Sequence, residues 1–188
     1  MILAGKGPAY EHISQLGEYE LVPSGSPIPD CGGVLLSVQY DRIIRQEQID
    51  GYQQVLNLHF GPLPELRGCF PTKWAIINNE PAGVTLHHID AGIDTGPVVD
   101  RVTFDCSELT DGEVYDKCNQ LAVMLFEKWR PYIESGTVPH DEIQEESRAK
   151  YHTRRLPFDG VLPPGSSEEF TERLERAFIH PPYPKLQR

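Results

Sequence analysis

The first 25 residues, "MILAGKGPAYEHISQLGEYELVPSG", alternate short apolar and polar stretches that read as strand, turn, helix and strand. Gly5 and Gly7 suit a tight strand-to-helix turn. The Walker spacing of a phosphate loop and its Lys-Ser/Thr ending are missing. "GGVLLSVQ" (Gly32 to Gln39) is an unbroken apolar run between turn signals, the mark of a strand covered on both faces. "DRIIRQEQIDGYQ" reads as a loop and short helix, and "QVLNLH" as the next buried strand. Pro71 suits the first position of a helix over "PTKWAIINN", where its missing N–H has no partner to lose. "GVTLHHID" and "GPVVDRVTF" read as two strands joined by the tight segment "DAGIDTG". Thr110 and Glu113 form a capping box. Val114, Cys118, Leu121, Leu125 and Trp129 follow at helical spacing, a stripe for core packing in a helix expected to end near Pro131.

Strands alternating with helices predict parallel pairing through right-handed crossovers, hence an open α/β sheet with Rossmann-like character. Only about thirty residues precede the "GGVLLSV" strand, so its front half is expected to be abbreviated. From Ser135 the chain turns polar and rich in Pro and Gly, with a short helix over "SEEFTERLERAF" and a proline tail. The expected division is a catalytic domain over 1–134 and an irregular C-terminal appendage over 135–188 packed on it.

Length and composition then narrow the classes. The chain has 188 residues, 39% of them hydrophobic and 24% charged, as expected of an ordinary folded domain. A formal net charge of −11 weighs against nucleic acid, which needs a basic face. Cys31, Cys69, Cys106 and Cys118 lie far apart with no CxxC pair, which fits a reducing cytoplasm better than a disulfide framework or a zinc site. No apolar run approaches a membrane span, and the first residues lack a signal-peptide pattern.

Several polar groups collect near the expected strand ends, where ligands of open α/β sheets bind. Alternation puts Asn57 and His59 on one side of their strand, and puts His87 and His88 on opposite faces of theirs. Singly, each has a plainer reading: a strand histidine packs, and an aspartate such as Asp90 or Asp94 turns the chain. Together an amide, an imidazole and a carboxylate supply the parts for acyl transfer. A serine nucleophile is disfavoured because no G-x-S-x-G elbow exists, and no HExxH or other tight ligand spacing supports a metal.

These motifs resemble the N10-formyltetrahydrofolate-dependent formyltransferases, which include glycinamide ribonucleotide, methionyl-tRNA and sugar N-formyltransferases. "NLHFGPLPELRG" resembles the family's Asn-x-His followed by a Leu-Pro loop and Gly. "GVTLHHIDAGIDTGPVV" resembles its Gly-Val-Thr-x-His stretch ending in Asp-x-Gly. "SVQYDRII" and "PTKWAI" fit the flanking segments, so the resemblance runs from about Val34 to Phe104. "AKYHTRRLPFDG" and "RAFIHPPYP" look like later segments of the tRNA- and sugar-modifying branches. "HFGPLP" departs from the family, having Gly-Pro where relatives often read Ser-Leu.

The resemblance implies a formyltransferase fold and a catalytic set of Asn57, His59 and Asp94. N10-formyltetrahydrofolate would be the co-substrate, with no metal. Arg42, Ile43 and Ile44, with His87 and the loop carrying Asp90, Ala91 and Gly92, would bind the folate. Gly61, Pro62, Leu63 and Pro64 would wall the acceptor, and Arg154 and Arg155 would contact a diphosphate by bidentate hydrogen bonds. The acceptor is expected to be a small primary amine, first a nucleotide-linked amino sugar and next an aminoacyl group. The acidic charge and the lack of a further C-terminal domain turn the expectation away from initiator tRNA. A hydrolase releasing formate from the same folate, or a non-catalytic folate-binding module, would use the same residues, and a homodimer stays open.

Overall fold

The apolar runs near the start of the chain form the parallel half of one sheet. A computed structural model describes residues 1–139, 142–155 and 161–178. Strand β1 (Ile2–Gly5) leads into helix α1 (Gly7–Ser14), then β2 (Glu20–Pro23) and β3 (Gly32–Val38). A short helix α2 (Gln46–Ile49) precedes β4 (Tyr52–His59). After the two-residue strand β5 (Arg67–Gly68) come α3 (Pro71–Asn78), β6 (Ala82–His88), β7 (Val98–Phe104) and the long α4 (Asp111–Ser135). A further two-residue strand, β8 (Tyr151–His152), and α5 (Glu168–Ala177) complete the described elements.

The main sheet has the order β2-β1-β3-β4-β6-β7. The expected parallel pairing holds among β2, β1, β3 and β4. It fails at β6 and β7, which run antiparallel to their neighbours, so the sheet is mixed. The reason is one of reach. A parallel return requires a crossover that carries the chain back along β4, an eight-residue strand of ~26 Å. The eight residues of α3 rise only ~12 Å. They deliver the chain beside the carboxyl end of β4, where His59 pairs with Thr85.

Alternation along the strands sorts the core onto two faces. Leu3, Leu36, Leu56 and Leu58 join the larger cluster under α1, α3, α4 and α5. Ile2, Ala4, Leu35 and Val55 join a smaller one, completed by Ile28, Ile44 and Tyr52. Among the described residues no helix is long and apolar enough to cross a membrane.

α4 opens on the expected capping box, with Thr110 N–H donating to Glu113 Oε2 at 2.9 Å. It does not stop at Pro131. It runs on to Ser135 and closes on Gly136 in the left-handed region, φ 68°. Proline gives up one backbone bond there. The final turn is held instead by fully buried Ile133, the Arg130–Glu134 pair and a 2.6 Å hydrogen bond from Tyr19 to Glu134.

The segment after Ser135 has more order than its composition predicts. Within it, β8 pairs in parallel with β5, matching Arg67 to Tyr151 and Gly68 to His152. Gly68 has φ 95°, and a Cβ there would lie 2.2 Å from the His152 carbonyl oxygen, so this pairing needs glycine. α5 is secured at its end by Lys73 of α3, whose Nζ donates to Ala177 O at 2.8 Å and to Asp111 Oδ2 at 2.6 Å. The tail "IHPPYP" and the stretch "LPFDG" lie outside the described residues.

Candidate active site

Asn57 stands in β4 directly opposite His87 in β6. Its Nδ2 lies 3.1 Å from His87 Nε2. His87 Nδ1 lies 2.8 Å from the carbonyl oxygen of His88, which can only accept, so Nδ1 carries the hydrogen. Neutral His87 therefore presents a bare Nε2 that accepts from the Asn57 amide, and this decides which way that amide points. Burial pushes the His87 pKa down to about 4, against a smaller upward pull from Asp94, so the ring is neutral at physiological pH. Asn57 itself is half-buried. His88 points away, its Nε2 lying 2.9 Å from Pro139 O, so the two histidines do take opposite faces.

His59 is 7% exposed and fixed by the loop after β4. Its Nε2 donates to Leu66 O at 2.7 Å, leaving Nδ1 as the ring nitrogen able to exchange a proton. Nδ1 faces Asp94 Oδ2 at 3.6 Å, and Asp94 Oδ1 lies 3.6 Å from His87 Nε2. Both separations exceed a hydrogen bond. The carboxylate thus stands over both rings, which meet edge to face with centroids 6.2 Å apart. Gly68 N–H donates to Asp94 Oδ2 at 2.8 Å and anchors it.

The turn of Gly61, Pro62, Leu63 and Pro64, expected to wall the acceptor, is buried. Thr85 Oγ1 donates to Gly61 O at 2.7 Å and accepts from Leu63 N–H at 3.2 Å, pinning the turn to β6. A Cβ on Gly61 would sit 2.6 Å from Pro71 Cβ and 3.1 Å from His59 Nε2. The turn is a scaffold for the His59 ring. His87, read from the sequence as folate-binding, is only 1% exposed and meets Asn57 and Asp94.

The outer residues lie elsewhere around this centre. Arg42 and Ile43 are exposed, while Ile44 is buried in the smaller cluster, against which Ile89 also packs. Asp90, Ala91 and Gly92 form an exposed turn in which Asp90 Oδ1 accepts from Gly92 N–H and Thr95 Oγ1. Arg154 and Arg155 are exposed on the bend after β8. Sequence reasoning missed the Leu66 carbonyl and the Gly68 amide, because backbone groups leave no trace in residue type. It also missed Gln144, a polar residue in a polar segment that proves buried.

Residues 32–127 match the formyl transferase family, and the chain belongs to that family. It is 33% identical over 117 residues to a methionyl-tRNA formyltransferase of Acetivibrio thermocellus, covering 58% of this chain and 38% of that one. It is 31% identical over 132 residues to a GDP-perosamine N-formyltransferase of Brucella melitensis, covering 69% and 49%. The chain thus spans less than half the length of these curated relatives. Its fold is similar to that of an N-formyltransferase from Helicobacter canadensis crystallised with folinic acid and dTDP-3-aminofucose. The TM-score is 0.84 at 24% identity, over 96% of this chain and 81% of that one.

Proposed function

We propose that the chain transfers a formyl group from N10-formyltetrahydrofolate to a primary amine, the acceptor being a nucleotide-linked amino sugar. The observation that carries this reading is the convergence of Asn57, His59 and Asp94 on one point, around a His87 kept neutral by burial. The donor set fits a formyl group: a half-buried amide with hydrogen-bonding capacity to spare lies beside an imidazole with one nitrogen free to exchange a proton. The two segments read as folate-facing also approach one sheet face, since Ile44 and Ile89 pack in the same apolar cluster.

The folate would supply an electrophilic formyl carbon. Asn57 would direct its remaining N–H at the formyl oxygen, which gains charge as a neutral amine adds. His59 would take at Nδ1 the proton the amine loses and return it to N10 as the formyl–N10 bond breaks, leaving a formamide and tetrahydrofolate. Asp94 would orient that proton and stabilise the imidazolium. Neutral His87 would keep the Asn57 amide turned the right way. Beside Asp94 lies an open depression of about 440 Å³ bordered by Arg67, Ile93, Thr95, Glu146, Ala149 and Tyr151, room for an acceptor. The −11 charge supports a small acceptor over a tRNA, and GDP-perosamine N-formyltransferases among the relatives support an amino sugar.

The test is incubation with N10-formyltetrahydrofolate and a panel of amino-sugar nucleotides, followed by mass spectrometry. The expected product carries one added formyl group. Formate release without any acceptor gain would replace this reading by hydrolysis, and transfer only to aminoacyl compounds would overturn the amino sugar.

A further inference from the structure

Asp94 is held by more than its neighbours in sequence. Its backbone lies in the left-handed region at φ 54°, which disfavours a residue with a Cβ unless surrounding contacts impose it. Those contacts come from Gln144, 50 residues further on. Gln144 Nε2 donates to Asp94 O at 2.9 Å and to Gly96 O at 2.7 Å, clipping the turn on both sides of Thr95. Gln144 Oε1 accepts from Arg67 Nε at 3.0 Å and Arg67 Nη2 at 2.9 Å. Every hydrogen-bonding site of the amide is then in use, and Gln144 is only 6% exposed. Arg67, itself 5% exposed, forks its other face onto Glu146 at 3.1 and 2.7 Å. The next residue, Gly68, holds the Asp94 carboxylate through its N–H. Successive residues of β5 thus grip Asp94 twice, one through Gln144 at the backbone and one directly at the side chain.

We propose that Gln144, braced by Arg67, is a positioning residue that locks the left-handed turn at Asp94 and so holds its carboxylate over His59 and His87. This rests on the formyl-transfer reading for its effect on turnover, but not for its effect on the geometry. Only an amide fits the place. A carboxylate would set oxygen against two carbonyl oxygens, and an apolar side chain would leave those carbonyls and Arg67 without the partners they have now. Without the clip, Asp94 is free to return to negative φ, which swings the carboxylate away from both rings.

The test uses Gln144→Met, similar in length but unable to donate or accept in this way, in the full chain, with folding checked by circular dichroism. The expected kcat falls by roughly tenfold to a hundredfold, with the KM for N10-formyltetrahydrofolate little changed. Asp94→Asn combined with Gln144→Met is expected to be no slower than Asp94→Asn alone, since both act through one carboxylate. A second readout needs no turnover: the ¹⁵N signal of His59 Nδ1, identified by its loss in His59→Gln. In Gln144→Met it is expected to move toward its position in Asp94→Asn. If Gln144→Met does not fold, Arg67→Lys keeps the charge but loses the fork, and is expected to move the same signal less far. A His59 signal unmoved in a folded variant, or losses that multiply in the double variant, would overturn the proposal. An inactive wild-type chain would count against formyl transfer alone, because the His59 signal still decides the role of Gln144.

Discussion

At Asn57 the amide takes its orientation from His87, because a ring whose Nδ1–H is spent on the His88 carbonyl can only accept at Nε2. Asn57→Ala is expected to lower kcat by on the order of a hundredfold to a thousandfold, as for other single oxyanion donors, measured as initial rates of formyl transfer. The state of His87 also has a pH signature. Unfolded, a histidine takes up its proton near 6.5, whereas folded His87 does so only near 4. Between those values the unfolded chain binds more protons, so the stability His87 contributes is full above about 6.5 and is lost as pH falls toward 4. His87→Gln keeps an acceptor for Asn57. Its urea midpoint is expected to fall less than the wild type's between neutral pH and pH near 4. Strand alternation made Asn57 and His59 legible as one pair and separated His87 from His88. It could not say which histidine faces the site, since that depends on the antiparallel register of β6 on β4, which sets His87 opposite Asn57.

The elements around the site are joined by polar contacts the hydrophobic pattern does not carry. Lys73 and Asp111, 2% exposed each, tie α3 to the start of α4 and to the end of α5. Lys73→Met is expected to destabilise the fold by about 3–5 kcal/mol, because it takes the ammonium away from a buried carboxylate. Adding Asp111→Leu should recover much of that loss, and urea titration of the single and double variants measures both. Helix and strand positions were readable because apolar spacing is local. The direction of β6 was not, because it depends on whether α3 is long enough to span the sheet. Pro131 misled for a related reason: tertiary burial of Ile133 outweighs the local cost of a proline.

For the molecule as a whole, the elements up to Ser135 were largely legible, while the stretch after it showed its helix, α5, but neither β8 nor the buried Gln144. Its place in the fold rests on a few buried groups. Leu174 is 1% exposed and sits in the larger core cluster. Leu174→Ala is expected to cost about 2–5 kcal/mol and to lower the helix and tryptophan unfolding midpoints together. Separate midpoints would mean that α5 unfolds on its own. The β5–β8 pairing and the Gln144 clip also bear on how the protein is born. Asn57, His59, His87 and Asp94 all leave the ribosome before Gln144 and the strand that pairs with Gly68. A nascent chain can therefore assemble its sheet while its acidic residue is still loose. Completion of the Asp94 turn is then tied to synthesis of the chain past Gln144.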